Sequence, residues 1–209
     1  MTIPGVYNFT IYQGASWGQT FYFGNSAVGL TLLPSSAYTV VVNGTTKTYV
    51  RNDGGSWLTN GLVSGDYIVV SGFENQANNG SHLATIVTAS TITCGGDTMV
   101  TETGQPSLSG KDILIVKALN FTAATGASMI RQLFSSTSPA ATVTVTFPAP
   151  LTSGAIALSL TNTQTAAITA GTTVDSSASQ YVWDLEVTQS GLVDRKLMGA
   201  VSIDPEATH

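Results

Sequence analysis

The sequence predicts an all-β protein, and two observations lead to this prediction. Of its 209 residues, 31 are Thr and 21 are Gly, while only 9% are charged; ordinary soluble domains have about 25% charged residues. Thr favours strands and turns over helix interiors. Short apolar–polar alternations also recur between Gly and Asn turns along the chain. This spacing is typical of β-sandwiches and small β-barrels.

The clearest predicted strand pair lies near the C-terminus. Residues 180–188 alternate with period two, as a half-buried strand does. Ser190-Gly191 supplies a turn, and residues 192–203 return as the partner strand. The apolar side chains that share one face of the first strand are Tyr181, Trp183, Leu185 and Val187.

The other elements are also predicted as short strands between turns, with one exception. Residues 7–23 are predicted as an opening strand pair, and the middle of the chain as several short strands with a hairpin at Asn43-Gly44. The exception is a short helix over 161–168, which has a Thr at its N-cap and Gly171 just past its end.

Composition excludes several classes of function. The formal net charge is −5, and no basic run is longer than Arg195-Lys196, so the basic stripe that nucleic-acid binding requires is missing. No apolar run approaches the 18 residues of a membrane span, and we expect no signal peptide at the N-terminus. Cys94 is the only cysteine, which rules out an internal disulfide.

No residue pattern builds a catalytic or metal site, so we predict a non-enzymatic protein without cofactor or metal. His82 and Cys94 fall on neighbouring predicted strands, but two ligands do not complete a metal site. Asp184 and Glu186 share a strand face, as paired catalytic carboxylates can. Arg195 and Lys196 on the returning strand explain this pair as cross-strand ion pairing.

Two alternatives stay open for the loops and the aromatic residues. Carboxylates near turns of the middle segment could hold a calcium ion, although their spacing matches no calcium loop. The Trp side chains could stack on sugars, although core anchoring is the commoner role. The carboxylates are Asp53, Asp66, Glu74 and Asp97, and the Trp residues are Trp17, Trp57 and Trp183.

Three separate segments of the chain resemble a family of small tailed-bacteriophage virion proteins. Residues 7–17 read Tyr-Asn-Phe-Thr-Ile-Tyr-Gln-Gly-Ala-Ser-Trp, similar to the opening of that family. Residues 119–131 resemble its Leu-Thr-Gly-Tyr…Met-x-Ile-Arg segment but lack the Gly-Tyr. Residues 156–205 resemble its end, with a Thr-Gln-Thr-Ala-Ala helix and a Tyr-Val-Trp-Asp-Leu-Glu strand.

The middle of the chain resembles a small β module that recurs in phage tail and structural proteins. The similarity covers residues 55–61, 65–73, 77–80 and 100–103. In typical members of the first family the opening strand runs almost directly into the Leu-Thr-Gly segment, so the module reads as an insertion. The residues that we predict as its interface or ligand surface are Trp57, Phe73, Asn78 and Asn79.

The resemblances imply a discontinuous, Ig-like β-sandwich formed by residues 1–30 and 117–209, which anchors to a particle, and a small β-barrel inserted as residues 31–116. They imply a structural component of a phage virion, in the tail, neck or baseplate region, that is assembled in the bacterial cytoplasm and contacts other virion proteins. The alternative is a host-receptor or carbohydrate-binding module on the virion.

The low charge also predicts self-assembly, since contiguous uncharged surface marks interfaces. No charged residue occurs from Leu197 to Ile203. We therefore expect this strand and the first strand, Tyr7–Ile11, to be sheet edges that a neighbour covers. The expected assembly is a homo-oligomeric ring or collar, or a fixed set of copies bound to one, held mainly through the β-sandwich of residues 1–30 and 117–209.

Overall fold

The computed structural model describes residues 5–96, 98–170 and 179–205, and it confirms the all-β prediction, with two sheets, one of which curls into a half-barrel. The strands are β1 (Gly5–Val6), β2 (Phe9–Tyr12), β3 (Trp17–Tyr22), β4 (Gly24–Leu32), β5 (Val40–Asn43), β6 (Thr48–Arg51), β7 (Tyr67–Ser71), β8 (Gly80–Val87), β9 (Thr91–Cys94), β10 (Glu102–Gly104), β11 (Ile113–Ala118), β12 (Thr125–Arg131), β13 (Ala141–Thr146), β14 (Ala155–Leu160), β15 (Ser179–Gln189) and β16 (Leu192–Asp204). The helical turns are a 3-10 turn (Gln76–Asn78), α1 (Pro106–Ser109) and α2 (Asn162–Ala166).

The chain divides into two compact units. The first unit comprises residues 1–20, 123–147 and 156–209, and the second comprises 21–122 and 148–155. The second unit therefore interrupts the sequence of the first, and the limits pass through β3 and β14. That residues 31–116 fold on their own stays a prediction.

The predicted domain boundaries fall inside strands. β4 pairs antiparallel with β11, so residues 24–32 form one strand that crosses the predicted boundary between residues 30 and 31. Both strands belong to the second unit. The apolar run of β11 lies between β7 and β4, and a central strand of this kind is buried on both faces.

The first unit is built around the predicted C-terminal hairpin. β15 and β16 pair antiparallel, and Ser190 and Gly191 both take positive φ in the connecting turn, as a two-residue hairpin turn requires. The sheet runs β1-β16-β15-β12-β13-β14-β3, with β2 also on β16. The apolar face of β15 is buried as predicted, with Tyr181, Trp183, Leu185 and Val187 all in the core.

The opening strands do not pair with each other, which corrects the predicted strand pair. β2 runs parallel to β16, and β3 lies beyond β14 at the other end of the sheet order. β16 is consequently an inner strand, so Leu197–Ile203 is not a sheet edge. A parallel pairing of the two chain ends has no local sequence signal, because it joins residues far apart in the chain.

The predicted helix is present as α2. The Thr161 hydroxyl accepts a bond from the Gln164 backbone N–H (3.2 Å), and the Gln164 side chain accepts one from the Thr161 N–H (2.8 Å). This capping box fixes the helix start. Gly171, predicted just past its end, lies outside the described residues.

The second unit has one sheet of order β10-β5-β6-β9-β8-β7-β11-β4. Its core is apolar and fully enclosed, with Trp57, Leu62 and Tyr49 among the largest buried side chains. The hairpin at Asn43 is present, but its turn spans four residues, and the Asn43 carboxamide accepts the backbone N–H groups of Thr45 and Thr46.

Candidate functional site: strand edges

The predicted interface residues of the second unit lie mostly in its interior. Trp57 and Asn78 have no exposed surface, and Phe73 is 2% exposed. Because these three side chains are buried, they do not form an exposed interface or ligand surface, which corrects that prediction. Asn79 is half-buried and bonds the backbone of Phe73 in both directions. Its predicted contact with a partner stays untested.

Asn78 is a structural amide that joins the long polar loop to β10. Its Nδ2 donates to the Val100 carbonyl (2.9 Å) and to Glu102 Oε2 (2.8 Å), while its Oδ1 accepts the Val100 N–H (2.9 Å). The Tyr49 hydroxyl donates to the Asn78 carbonyl (2.8 Å). A buried amide with all its groups bonded holds its surroundings in one arrangement.

The Trp57 ring is covered by the buried Arg51 guanidinium and is not exposed to solvent. The Arg51 guanidinium is 4.7 Å from the centre of the indole ring, within cation–π range. It donates two bonds of 2.6 Å to the Asp53 carboxylate and one of 2.7 Å to Asn60 Oδ1. The Arg51 bonds, together with the Gly55 backbone N–H, hold the pKa of Asp53 below its usual value, against the effect of burial.

The other sequence candidates have structural partners. Asp184 is buried between Arg131 and Arg195, each 3.4 Å away, and Glu186 pairs with Arg195 at 2.9 Å, as the cross-strand interpretation predicts. Within the described residues, no three or more His, Cys, Asp or Glu side chains come together to hold a metal, and no helix has the length and hydropathy to cross a bilayer. Asp97 and His209 lie outside the described residues.

The free sheet edges of the second unit are protected. On β4, Gly29 pairs with Val116 and Asn25 with Lys117, so the residues between them bulge out of the ladder. The Gly29 N–H also donates to the Asn60 carbonyl (3.0 Å), which caps the edge. The opposite edge, β10, is only three residues long and carries the charged Glu102. Bulges, short strands and charges all hinder pairing with another chain.

The free edge of β2, a strand of four residues in the first unit, has neither a bulge nor a charge. The first charged residue of the whole chain is Lys47, so β1, β2 and β3 carry no charge, and β2 has neither Pro nor bulge. Asn8, Thr10 and Tyr12 are exposed, Tyr12 by 64%. Among the described strands, β2 pairs only with β16.

The hydrogen bonds between β2 and β16 show which backbone N–H and C=O groups of β2 point away from β16. Tyr7 N–H donates to the Met198 carbonyl (2.9 Å) and Gln13 N–H to the Asp204 carbonyl (2.8 Å). Odd-numbered residues therefore bond β16, and in a regular strand the even-numbered ones direct their N–H and C=O groups to the opposite side. We call the outward backbone groups of Asn8, Thr10 and Tyr12 the open edge.

Contacts of Tyr7, Phe9 and Ile11 with the rest of the first unit hold the open edge in place. Phe9 stacks on Trp17 with ring centres 4.4 Å apart, and Trp183 Nε1 donates to the Tyr7 carbonyl (2.7 Å). Ile11 is fully buried. A Cβ at Gly199 would overlap the Tyr7 carbonyl, so the close approach of this segment to β16 requires glycine there. A rigid edge loses little conformational entropy when a partner strand pairs with it.

A cavity of about 440 Å³ also lies in the first unit, between the loop that follows β12 and the residues that follow α2. Its lining is neutral, with Gln132, Ser136 and Thr137 on one side and Thr169 and Tyr181 on the other. The Tyr181 hydroxyl is already bonded to the Thr169 carbonyl (2.8 Å). None of the residues that line the cavity is charged.

No protein-family model matches the chain, and no curated protein matches its sequence.

Proposed function

We propose that this protein is a non-enzymatic structural component of a tailed-phage virion, in the tail, neck or baseplate region, that assembles through its first unit. The virion assignment is supported by the resemblance of residues 7–17 and 156–205 to small virion proteins. Both segments lie in the first unit, and together they contain β2, α2 and the β15–β16 hairpin.

The single observation that carries the assembly role is the contrast between edges. The second unit ends its sheet with a bulge, a cap and a charge, whereas the first unit leaves the open edge exposed and uncharged. A monomer normally protects such an edge, because unpaired strand groups invite association. On the particle we propose that the first unit binds neighbouring virion proteins or further copies of the chain, arranged in a ring, while the second unit presents a surface outward.

Particle composition tests this proposal. Density-purified particles made from the source genome are analysed by quantitative mass spectrometry for this chain. We expect it at a fixed copy number, and we expect Thr10→Lys to abolish incorporation while Thr31→Lys, on the protected edge of β4, leaves it unchanged. Absence of the wild-type chain from purified particles would refute the virion assignment. Normal incorporation of Thr10→Lys would instead refute assembly through the open edge.

Glycan binding is the second candidate function. We place its site at the cavity of the first unit rather than at the predicted surface around Trp57. Hydroxyl and carboxamide side chains can bond sugar hydroxyls, and Phe134 of the same loop is 44% exposed. A glycan array with the whole protein separates the candidates. Binding that is lost in Gln132→Ala and kept in Trp57→Phe would support a glycan site in the first unit, and no binding to any glycan would remove this candidate.

A further inference from the structure

The open edge has a geometry that can pair with itself. Three alternate residues, Asn8, Thr10 and Tyr12, direct backbone groups away from β16, and Thr10 is the central one. If two such strands run antiparallel about a two-fold axis at Thr10, then Thr10 faces Thr10 and Asn8 faces Tyr12. In an antiparallel hydrogen-bonded pair, facing residues exchange both N–H···O=C bonds.

We propose that β2 of one copy pairs antiparallel with β2 of a second copy, so that the sheets of two first units become continuous. The inference rests on the proposed function only in taking the first unit as the assembling part, and it does not require a virion. A two-fold interface uses the same surface of both copies, so that surface must complement itself.

Three properties of the edge favour a second copy as the occupant. The strand has no charge, so two copies meet without repulsion. Thr opposite Thr is a favourable cross-strand pair. The Tyr12 carbonyl accepts the Ala15 N–H (3.1 Å) but keeps a second lone pair for the neighbour. The exposed Tyr12 ring can in turn cover the facing Asn8 backbone and exclude water from the new bonds.

Sedimentation equilibrium of the full chain across a concentration series tests the proposal. We expect a dimer with twice the 21.6-kDa chain mass. Thr10→Lys places two like charges opposite each other and should weaken the dimer about tenfold or more. Thr10→Ser keeps the backbone groups, and Thr31→Lys adds the same charge to the protected edge of β4, so both should dimerise as wild type does.

A crosslink through one introduced cysteine gives a second, position-specific readout. Facing residues of a hydrogen-bonded pair have Cα atoms about 5.5 Å apart, within the usual disulfide range of about 4.4–6.8 Å. Under mild oxidation Thr10→Cys should form a covalent dimer, and Thr31→Cys should not. The native Cys94 is 3% exposed and does not compete.

Two outcomes would overturn the proposal. The first is a wild-type chain that stays monomeric at every concentration and does not crosslink through Thr10→Cys. The second is a dimer or larger ring whose association constant is unchanged in Thr10→Lys. If the chain forms a ring that Thr10→Lys does not weaken, only the β2 pairing is refuted, and assembly on a virion stands. If the chain dimerises through β2 but is absent from purified particles, only the virion assignment is refuted.

Discussion

The two units solve the same structural problem in opposite ways. Each contains an open sheet with two free edges, and a free edge presents unpaired N–H and C=O groups to other chains. The second unit blocks its edges with the β4 bulge, the bond from Gly29 to Asn60, and the short, charged β10. The first unit leaves the β2 edge exposed and uncharged. This difference teaches that low overall charge does not distinguish the edges of the two units, whereas the bulge, the cap and the charge do.

The units also differ in where their polar groups act. In the second unit, Arg51, Asp53 and Asn78 stabilise the interior and its loops. In the first unit, the polar backbone groups of the open edge have no partner strand among those described. Substitutions in the second unit should therefore change stability, and substitutions on the open edge should change association.

The largest expected effect is on Trp57. Replacement by Ala removes a fully buried indole and the ring beneath Arg51, and the resulting cavity should lower the free energy of unfolding by about 3–5 kcal/mol. Urea unfolding measures it. The neighbouring Leu58→Ala is the control, because Leu58 is half exposed and should cost less than about 0.5 kcal/mol. A Trp57→Ala protein as stable as Leu58→Ala would contradict the interior role.

Asn78→Ala should have an intermediate effect. It leaves the Val100 N–H and the Glu102 carboxylate without their amide partner at a partly buried position, which should cost about 2 kcal/mol. Gln76→Ala, at an exposed position of the same turn, is the matched control. If instead Asn78→Ala left stability unchanged and reduced binding to a virion partner, Asn78 would be an interface residue as the sequence first suggested.

Asp53 should give the smallest effect, and one that depends on pH. Its pKa is lowered in the folded protein, chiefly by the hydrogen bonds from Arg51. Its contribution to stability is thus fully present above the unfolded pKa of about 3.9 and is lost as pH falls through the lower, folded value. Asp53→Asn should be less stable than wild type at neutral pH, and the difference should shrink below about pH 4.

Urea unfolding at several pH values from neutral to acid measures this dependence. Asp112→Asn, which removes an exposed carboxylate, is the control. A stability difference between Asp53→Asn and wild type that stays constant down to the most acid pH would contradict the ion-pair account.

Local patterns in the sequence predicted the local structure well. Alternation along 180–188 and the Ser190-Gly191 turn predicted the hairpin, and Thr161 predicted the helix start. The parallel pairing of β2 with β16 was missed, because a contact between distant segments leaves no trace in spacing. The edge position of the first strand, Tyr7–Ile11, was predicted from the low charge, and β2 has β16 as its one partner among the described strands; its cover by a neighbour stays a prediction.

The site residues could not be placed from the sequence for a related reason. Trp57, Phe73 and Asn78 stand among Gly- and Asn-rich turns, which are usually exposed. Here the loops fold inward, because Arg51 and Glu102 supply partners for groups that would otherwise need water. Turn composition predicted short strands in this part of the chain, but the partners that bury Trp57 and Asn78 come from other segments.

Hydrogen–deuterium exchange tests the central claim most directly, because it reports on every strand edge of the intact protein in one experiment. The measurement compares dilute protein with the assembled state at high concentration or on particles. The account predicts added protection in peptides that cover residues 5–13 and no change in those that cover β4 and β10. Protection of the β4 or β10 peptides, with residues 5–13 exchanging at the same rate in both states, would contradict it.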